Sequence, residues 1–262
     1  RAQLDLKGDL QPIADQINET SDVLERKDSA REQWIRGVSH DIRTPLSMII
    51  VKSEAIAARP GASEADRADA RAIGAQGMKI KDLVADLNAA SQLSFSAQPL
   101  DLARIRPARL VRDVAASYLN SGLDEAHPLE LALDDACADA VVLGDERMLT
   151  RLLENLLSNA RLHNPGGCSI RIELAPCETA EGRCVELCVV DDGAGISPDA
   201  LEALEARLAR ARVAPEEAAP DDAGHGLGLV LVDRIARAHG GSFRASGAPG
   251  GGFAARVALP LA

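Results

Sequence analysis

His40 is followed directly by an acid, and such a pair could act as a nucleophile that carries its own orienting base. Residues 39–45 read Ser-His-Asp-Ile-Arg-Thr-Pro, on a segment whose apolar spacing is otherwise helical. A carboxylate that accepts a hydrogen bond from imidazole Nδ1 fixes the tautomer and leaves the attacking lone pair on Nε2. We therefore predict that His40 attacks an electrophile through Nε2 and that Asp41 holds the ring.

Three residues shortly after this pair could assist the same chemistry. Thr44 lies one helical turn beyond His40 on the same face, and Arg43 could neutralise the charge of a phosphate. Pro45 has no N–H, so the carbonyl of Asp41 loses its helical partner, and the helix should loosen where the His40 side chain must move. The alternative is a surface histidine on a kinked helix, which this motif alone does not exclude.

Asn155 and Asn159 are four residues apart, so they share one face of a predicted helix. A neutral amide oxygen can ligate Mg²⁺ without adding negative charge beside a triphosphate. The pair is therefore a candidate metal site beside a nucleotide, although two polar surface positions would give the same spacing.

Asp191 begins the segment Asp-Asp-Gly-Ala-Gly directly after a predicted strand. A carboxylate at this place can accept a hydrogen bond from the exocyclic amine of adenine, whereas guanine presents a carbonyl and would leave the acid unpaired. Gly193 and Gly195 have no Cβ, so the backbone can approach a flat base closely. The alternative is an ordinary acidic turn. Asp192 is predicted to be the exposed neighbour.

Evenly spaced glycines, Gly224, Gly226 and Gly228, precede a predicted helix. Successive glycine N–H groups and a helix N-terminus can hold phosphates. The spacing is neither that of the dinucleotide-binding Gly-x-Gly-x-x-Gly nor that of the Gly-x-x-x-x-Gly-Lys phosphate loop. Glycines 250–252, before the last strand, are either a further glycine box or a simple hairpin turn.

Taken in chain order, these motifs resemble the cytoplasmic core of bacterial two-component sensor histidine kinases. The resemblance covers nearly the whole chain. It implies a multidomain fold, with an all-α hairpin that forms a dimeric four-helix bundle and then an α/β sandwich ATP-binding domain of the GHKL (Bergerat) type. The implied domains are a HAMP-like or linker helix at 1–27, a dimerisation and histidine phosphotransfer hairpin at 28–95, and a catalytic ATP-binding domain at 96–262. For 1–27, an arbitrary helical leader fits equally well.

The resemblance also implies roles for the residues of the first motif. ATP phosphorylates His40, and the phosphoryl group passes to an aspartate of a response regulator. Asp41 and Thr44 match the family's His-Asp-x-x-Thr pattern, which accompanies phosphatase activity toward the phosphorylated regulator, and Arg43 is the fourth catalytic candidate. The alternative function is a phosphatase-dominant or scaffold module with weak kinase activity.

For the nucleotide, the resemblance implies ATP with Mg²⁺, and Asn159 corresponds to the direct metal ligand and Asn155 to a supporting one. The implied nucleotide-binding residues are Asn155, Asn159, Arg161, His163, Asp191, Gly193, Gly195, Gly224, Gly226, Leu227, Gly228 and Leu229. The family places Lys or Arg where this chain has Leu162. Either Arg161 substitutes for that cation or the phosphate contact is lost, and His163 stands where an aromatic residue is usual.

The segment between Ile196 and Gly224 corresponds to the nucleotide lid of the family. It is rich in alanine, glutamate and arginine, and a solvated helix is predicted at 199–212. Leu204 and Leu208 stand where the family usually has phenylalanines.

Composition limits the partners and the compartment. A net charge of −11 over 262 residues, with scattered basic residues, argues against nucleic-acid binding. No apolar run approaches the roughly 18 residues that span a bilayer. Because the chain begins with Arg1, we expect a fragment, the cytoplasmic portion of a protein anchored in the bacterial inner membrane through absent N-terminal segments. The five cysteines show no metal-binding pattern and are predicted to be reduced.

Periodicity predicts the elements that position these motifs. Two long helices, at 28–58 and 64–92, flank a break at residues 59–62 and form a hairpin, with Ser63 and Asp66 as the cap of the second. One hairpin cannot surround its own apolar stripe, which makes homodimerisation a physical expectation too. Further helices are predicted at 110–119, 145–162 and 229–239, and strands at 129–133, 169–174, 185–190, 242–245 and 253–259.

Overall fold

The computed structural model describes residues 11–95, 100–120, 126–180, 182–213 and 227–262. The chain separates into two units, Arg1–Pro99 and Leu100–Ala262. Where the structure describes them, the first unit is helical and the second combines sheets with helices. Among the described residues, every helix is either too short or too polar to span a bilayer.

The first unit is a hairpin of two long helices, α1 (Gln11–Ala57) and α2 (Glu64–Phe95). Gly77 lies beside Ile50, and Gly74 lies beside Ser53, so the helices run antiparallel. Helix α1 continues through Pro45 without interruption. The predicted pair of helices is therefore present, and α1 begins well before residue 28.

Ser63 and Asp66 form the predicted cap at the start of α2. The backbone N–H of Asp66 donates to Ser63 Oγ at 3.1 Å, and the backbone N–H of Ser63 donates to Asp66 Oδ2 at 3.3 Å. The Ser63 hydroxyl also donates to Asp66 Oδ2, at 2.7 Å. These hydrogen bonds lower the pKa of Asp66, because they favour the charged carboxylate. The cap satisfies backbone donors that the first helical turn leaves open.

The hairpin buries only part of its apolar surface. Helix α1 carries an apolar stripe at three- and four-residue spacing; its Ile35 and Leu46 are buried, but its Ile42 and Ile49 are exposed. Other large apolar side chains of the two helices are exposed as well: Trp34, Met48, Val51, Ile56, Ile73, Met78, Ile80 and Leu87. A long hairpin with apolar residues on its outer faces has the surface expected of half a helical bundle.

The described part of the second unit is built on a five-stranded mixed sheet. Its strands are β2 (Leu129–Leu133), β4 (Ile170–Thr179), β5 (Gly182–Asp191), β6 (Ser242–Gly247) and β7 (Phe253–Pro260). They lie in the order β2-β4-β5-β7-β6; β2 runs parallel to β4, and the other neighbours are antiparallel. Its helices are α3 (Pro107–Asn120), α4 (Glu146–His163), α5 (Pro198–Val213) and α6 (Leu227–Ala238).

The core lies between one face of this sheet and the helices α3, α4 and α6. Alternate residues of β4, Ile170, Ile172 and Leu174, are almost fully buried, whereas Arg171 between them is exposed. The helices contribute a similar aliphatic layer, namely Val111, Leu152, Leu153, Leu156, Leu157, Leu231, Val232 and Ile235. This one-sheet, one-helix-layer arrangement agrees with the predicted α/β sandwich.

A second, smaller sheet pairs β1 (Ala103–Ile105) with β3 (Val142–Gly144) in antiparallel fashion. Neither strand is predicted from the sequence, because three residues are too few to show a period of two. A single 3₁₀ turn, Asp135–Cys137, precedes β3, and Asp134 caps it by accepting from the N–H of Ala136.

The hairpin of β4 and β5 is longer than the predicted strands, and this changes the state of two cysteines. Pairing continues past residues 174 and 185, out to Thr179 opposite Gly182. The extension places Cys177 opposite Cys184 with their Cα atoms 4.9 Å apart, and the two form a disulfide. The prediction that the cysteines are all reduced is therefore wrong for this pair. The free cysteines, all buried, are Cys137, Cys168 and Cys188.

A buried histidine connects the end of α6 with the start of α4. Nδ1 of His239 donates to the Ile235 carbonyl at 2.7 Å, and Nε2 accepts from the backbone N–H of Asp145 at 3.0 Å. Asp145 is the N-cap of α4, and its side chain accepts from the N–H groups of Arg147 and Met148. Burial lowers the pKa of His239, against smaller opposing effects of the Ile235 carbonyl and Asp145. The neutral imidazole therefore helps to fix α4.

The second unit should lose stability as the pH falls, through His239. Unfolded histidine binds a proton near pH 6.5 and folded His239 only at lower pH, so protonation favours the unfolded chain. Its contribution is complete above pH 6.5 and is lost below, by at most about 1.4 kcal/mol per pH unit. Denaturant unfolding at pH 7.5 and 5.5 should show a smaller pH-dependent change in the free energy of unfolding for His239→Gln than for wild type. Equal pH effects for both proteins would contradict this.

Candidate functional site

His40 lies on the outside of α1. Its side chain is 77% exposed and that of Asp41 is 85% exposed, and His40 Nδ1 is 3.5 Å from Asp41 Oδ1. The two groups are neighbours, at a separation longer than that of most N–H···O hydrogen bonds. The neighbouring residues Ser39 and Leu46 are buried and fix the rotation of the helix, so Nε2 of His40 is accessible to a large reactant.

The other two predicted residues of this motif are also exposed. Arg43 and Thr44 lie on the surface of α1 within a turn of His40. The carbonyl of Arg43 accepts from the Ser47 hydroxyl at 2.8 Å, a bond that does not depend on its guanidinium. His40, Asp41, Arg43 and Thr44 thus form one accessible patch that a partner protein can contact.

The second unit contains an open cleft of about 300 Å³ at one end of α4. This volume lies at the lower end of the range of small-molecule sites. One part of the wall is polar, and the other is formed by aliphatic side chains and one phenylalanine. The lining residues are Asn159, His163, Asn164, Asp191, Gly195, Ile196, Ser197, Ala200, Leu204, Leu229 and Phe253.

Asp191 is the buried acid of this cleft, with 4% of its surface exposed. Its Oδ1 accepts from the backbone N–H of Gly193 at 3.0 Å and from Asn164 Nδ2 at 3.2 Å. Within the described part of the chain, no donor reaches its Oδ2. A buried carboxylate with one oxygen held and the other unpaired presents a hydrogen-bond acceptor to a ligand. Asp192 is exposed, as predicted, and accepts from the N–H of Ser169.

Two glycines after Asp191 are required by the packing of their own loop. A Cβ on Gly193 would overlap the side-chain amide of Asn164. Gly195 has a φ of +74°, and a Cβ there would lie 2.9 Å from the carbonyl oxygen of Gly252. Gly252, in turn, lies against the backbone of Asp191. Glycines at these positions therefore hold the loop against Asn164 and the start of β7, and Gly195 also lines the cleft.

The two asparagines of α4 occupy different environments. Asn159 lines the cleft. Asn155 is buried and is not among the lining residues; its Nδ2 donates to the Arg151 carbonyl at 3.0 Å. A Cβ on Gly228 would lie 2.9 Å from Asn155 Oδ1, so Asn155 packs against the first turn of α6. The structure thus gives Asn155 a contact with α6, whereas Asn159 lines the cleft.

The three residues after Asn159-Ala160 also lie in different environments. His163 lines the cleft, whereas Arg161 and Leu162 are not among the lining residues. The Arg161 guanidinium lies 5.8 Å from the centre of the Tyr118 ring, a distance typical of cation–π contacts. Leu162 is 49% exposed.

Of the predicted glycine segment, the structure describes the start of α6. Leu227 is its first residue, and Leu229 is buried and lines the cleft. Gly224, Gly226 and the latter part of the predicted lid lie outside the described residues. Of the lid leucines, Leu204 lines the cleft and Leu208 is buried.

An ion pair that the sequence analysis missed joins the end of α5 to α6. Arg212 donates to both carboxylate oxygens of the buried Asp233, at 2.8 and 3.0 Å, and Arg237 donates to the same carboxylate. The side-chain hydrogen bonds to Asp233 raise the pKa of Arg212. This pairing fixes the end of α5, directly before the segment that the structure does not describe.

Asn164 and Phe253 are among the cleft residues that the sequence does not predict. Asn164 follows α4 and precedes a proline, and an Asn-Pro pair at a helix end is a recognisable boundary signal. Phe253 begins β7 opposite Asp191 in the sheet register, which no sequence pattern shows.

Comparison with known proteins agrees with this division into a helical and an ATP-binding part. Residues 30–94 match the "His Kinase A (phospho-acceptor) domain". Residues 144–262 match the family "Histidine kinase-, DNA gyrase B-, and HSP90-like ATPase".

Curated relatives are sensor kinases. "Sensor-like histidine kinase SenX3" of Mycobacterium bovis is 30% identical over 244 residues, 93% of this chain and 57% of that protein. "Signal transduction histidine-protein kinase BaeS" of Escherichia coli is 27% identical over 258 residues, 97% of this chain and 52% of that protein. The chain thus spans about half the length of these relatives.

Among solved structures, full-length ShkA in complex with AMPPNP is similar, with a TM-score of 0.59 and 26% sequence identity. The match covers 88% of this chain and 46% of that one. The predicted histidine kinase fold, a helical hairpin with an α/β ATP-binding domain, is thereby confirmed. With a phospho-acceptor domain, an ATPase domain and relatives of that kind along almost its whole length, the chain belongs to the two-component sensor histidine kinases.

Proposed function

We propose that this chain uses ATP to phosphorylate its own His40 at Nε2 and then passes the phosphoryl group to an aspartate of a response regulator. The observation that carries the proposal is the presence, in one chain, of an exposed histidine–acid pair and of a cleft with an unpaired oxygen on a buried carboxylate. Neither feature serves the stability of its own unit, because exposed charges add little and a carboxylate oxygen without a protein donor adds no hydrogen bond.

The cleft suits the adenine base of ATP. Asp191 Oδ2 is the acceptor for the exocyclic amine, and the apolar side chains of Ile196, Leu229 and Phe253 can enclose the ring. Guanine would bring its carbonyl against the carboxylate, and this repulsion favours ATP over GTP.

The donor set of the cleft also fits Mg²⁺. Asn159 offers a neutral amide oxygen, a ligand type that this ion accepts, and triphosphate oxygens and water can complete its coordination. When bound, Mg²⁺ neutralises charge that develops on the phosphates during transfer. Asn155 supports this site indirectly, by packing against the first turn of α6.

In the reaction, a bond forms between His40 Nε2 and the γ-phosphorus while the bond from that phosphorus to the β,γ-bridging oxygen breaks. ADP leaves with the electron pair of the broken bond. Asp41 accepts the hydrogen bond of Nδ1–H, keeps Nε2 unprotonated and stabilises the positive charge that develops on the ring. The 3.5 Å separation of His40 Nδ1 and Asp41 Oδ1 should shorten as this charge appears.

Further parts of the proposal follow from the first unit. The apolar residues left exposed on the hairpin support a homodimer that completes a four-helix bundle. The patch of His40, Asp41, Arg43 and Thr44 is the docking site for the response regulator, and its His-Asp-x-x-Thr pattern supports phosphatase activity toward the phosphorylated regulator. We place the chain as the cytoplasmic part of a kinase that is anchored in the membrane through other segments.

One observation favours the second candidate function, a phosphatase or scaffold with weak kinase activity. The family's phosphate-contacting cation is replaced by Leu162, and the neighbouring Arg161 contacts Tyr118. If Arg161 stays there when ATP is bound, phosphate binding loses one cation, and autophosphorylation is slow while regulator dephosphorylation is retained.

Incubation with γ-labelled ATP and Mg²⁺ tests the proposal. We expect label that is stable in alkali and labile in acid, the chemistry of a phosphorus–nitrogen bond, and no label when EDTA removes the metal. Calorimetric titration with ATP should run in parallel. ATP binding without any protein-bound label would favour the phosphatase or scaffold function, and label that resists acid would contradict phosphorylation of histidine.

A further inference from the structure

Asn164 connects three parts of the nucleotide cleft through one side chain. It follows the last residue of α4 and is 6% exposed. Its Nδ2 donates to the Ala160 carbonyl at 2.8 Å and to Asp191 Oδ1 at 3.2 Å. Its Oδ1 accepts from the backbone N–H of Ala194 at 2.9 Å. The end of α4, the acid of the cleft and the loop that follows the acid are therefore held by the same amide.

The partners determine the orientation of this amide. Both hydrogens of Nδ2 are used by oxygen atoms, and Oδ1 faces an N–H group. A flip about the last bond would place Oδ1 against the two oxygens of Ala160 and Asp191, and Nδ2 against the N–H of Ala194. All three hydrogen bonds would be lost, so Asn164 donates to Asp191 and does not accept from it.

The backbone of Asn164 is held as firmly as its side chain. Its carbonyl accepts from Nε2 of the buried His127 at 2.8 Å and from the N–H of Gly167 at 2.9 Å. On the other side, the loop at Gly193 packs so tightly on the amide that a Cβ would not fit. Few alternative positions are open to the Asn164 side chain.

The carboxylate of Asp191 depends on this fixed donor. Its Oδ1 has two donors, the N–H of Gly193 and Nδ2 of Asn164. With both present, rotation of the carboxylate would break two hydrogen bonds, and Oδ2 stays the free acceptor. With Gly193 alone, the carboxylate can turn about its terminal bond, and an acceptor that is not held in place binds a ligand less well.

We infer that Asn164 is a positioning residue for adenine recognition: it holds Asp191 so that Oδ2 faces the exocyclic amine of the base. The inference rests on the proposed function, since it requires that Asp191 reads adenine. Asn164 itself does not touch the amine, and its effect should be specific to ligands that carry this group.

The test compares two ligands that differ only in the group that Asp191 contacts. ATP and purine riboside triphosphate, which lacks the 6-amino group, are titrated by calorimetry into the 262-residue protein and into Asn164→Ala. We expect wild type to prefer ATP and Asn164→Ala to lose most of that preference. ATP affinity should fall about tenfold, the effect of losing one hydrogen bond to a charged group, with little change for the analogue.

Two further variants keep the test decisive. Asn120→Ala makes the same substitution at the exposed end of α3 and should keep the wild-type preference. Asn164→Asp has the same shape but sets a like charge beside Asp191, and it should also lose the preference; it replaces Asn164→Ala if that variant does not fold. Equal weakening of both ligands would overturn the inference, since it would show a structural role only. Absence of a preference in wild type would instead overturn recognition by Asp191.

Discussion

Replacing His40 with glutamine should reduce the transfer of label from γ-labelled ATP at least about 1000-fold, to below detection, because no other group replaces the attacking nitrogen. Glutamine is close in size, neutral and able to form hydrogen bonds, but its amide has no nucleophilic lone pair. The side chain is 77% exposed, so the substitution should leave the fold of the hairpin intact.

Two measurements separate loss of the nucleophile from other causes. Calorimetry should give the same ATP affinity for His40→Gln and wild type, because His40 is not part of the ATP cleft of the second unit. Asp41→Asn provides a graded comparison, since it keeps the nucleophile but removes the charge that stabilises the imidazolium. We expect its rate to fall about 10- to 100-fold. Label that persists on His40→Gln would show that a different residue is phosphorylated.

The sequence predicts some elements of the second unit closely, because their patterns are long enough to be recognised. Strand β2 is found at the predicted residues, and α4 differs by one residue at each end. Both are long enough to show their period, and α4 also has one buried face. His40 is recognisable as a candidate nucleophile because an acid and a proline beside a histidine are poor choices for a plain helix.

The contacts that complete the cleft could not be predicted in this way. Asn164 donates to Asp191 from 27 residues away, and Phe253 is set beside Asp191 by the register of β5 and β7. Such neighbours depend on strand order, which no local pattern contains. Gly193 is predicted to let the backbone approach the base closely. The structure shows a different reason for glycine at this position, because a Cβ there would overlap the Asn164 amide.

The disulfide shows how an underestimated strand leads to a chemical error. Pairing with β2 ends at Leu174, so β4 is an edge strand beyond that point, and Pro176 removes no sheet hydrogen bond there. The strand therefore continues through a residue that normally ends one. Only this continuation brings Cys177 opposite Cys184, and a sequence separation of 7 between two cysteines does not reveal it.

Replacing Asp191 with asparagine should weaken ATP binding about 100-fold, because the new amide cannot accept hydrogen bonds both from the protein donors and from the amine of adenine. Oδ1 of Asp191 receives two donors, the N–H of Gly193 and Nδ2 of Asn164. If the asparagine oxygen stays there, its NH₂ group faces the amine of adenine, donor against donor. If the amide turns over, its NH₂ group meets the two protein donors instead. Either orientation leaves a buried donor unpaired, and phosphorylation of His40 should fall with ATP occupancy.

The first of these orientations should also change the choice of base. An NH₂ group in the place of Oδ2 can donate to the carbonyl of guanine, which the carboxylate of wild type repels. The preference for ATP over GTP should therefore shrink or reverse in Asp191→Asn, as measured by calorimetry with both nucleotides. Asp192→Asn is the matched control, because its side chain is exposed and an amide oxygen can still accept from Ser169. Equal losses for ATP and GTP in Asp191→Asn would mean that the carboxylate stabilises the cleft without reading the base.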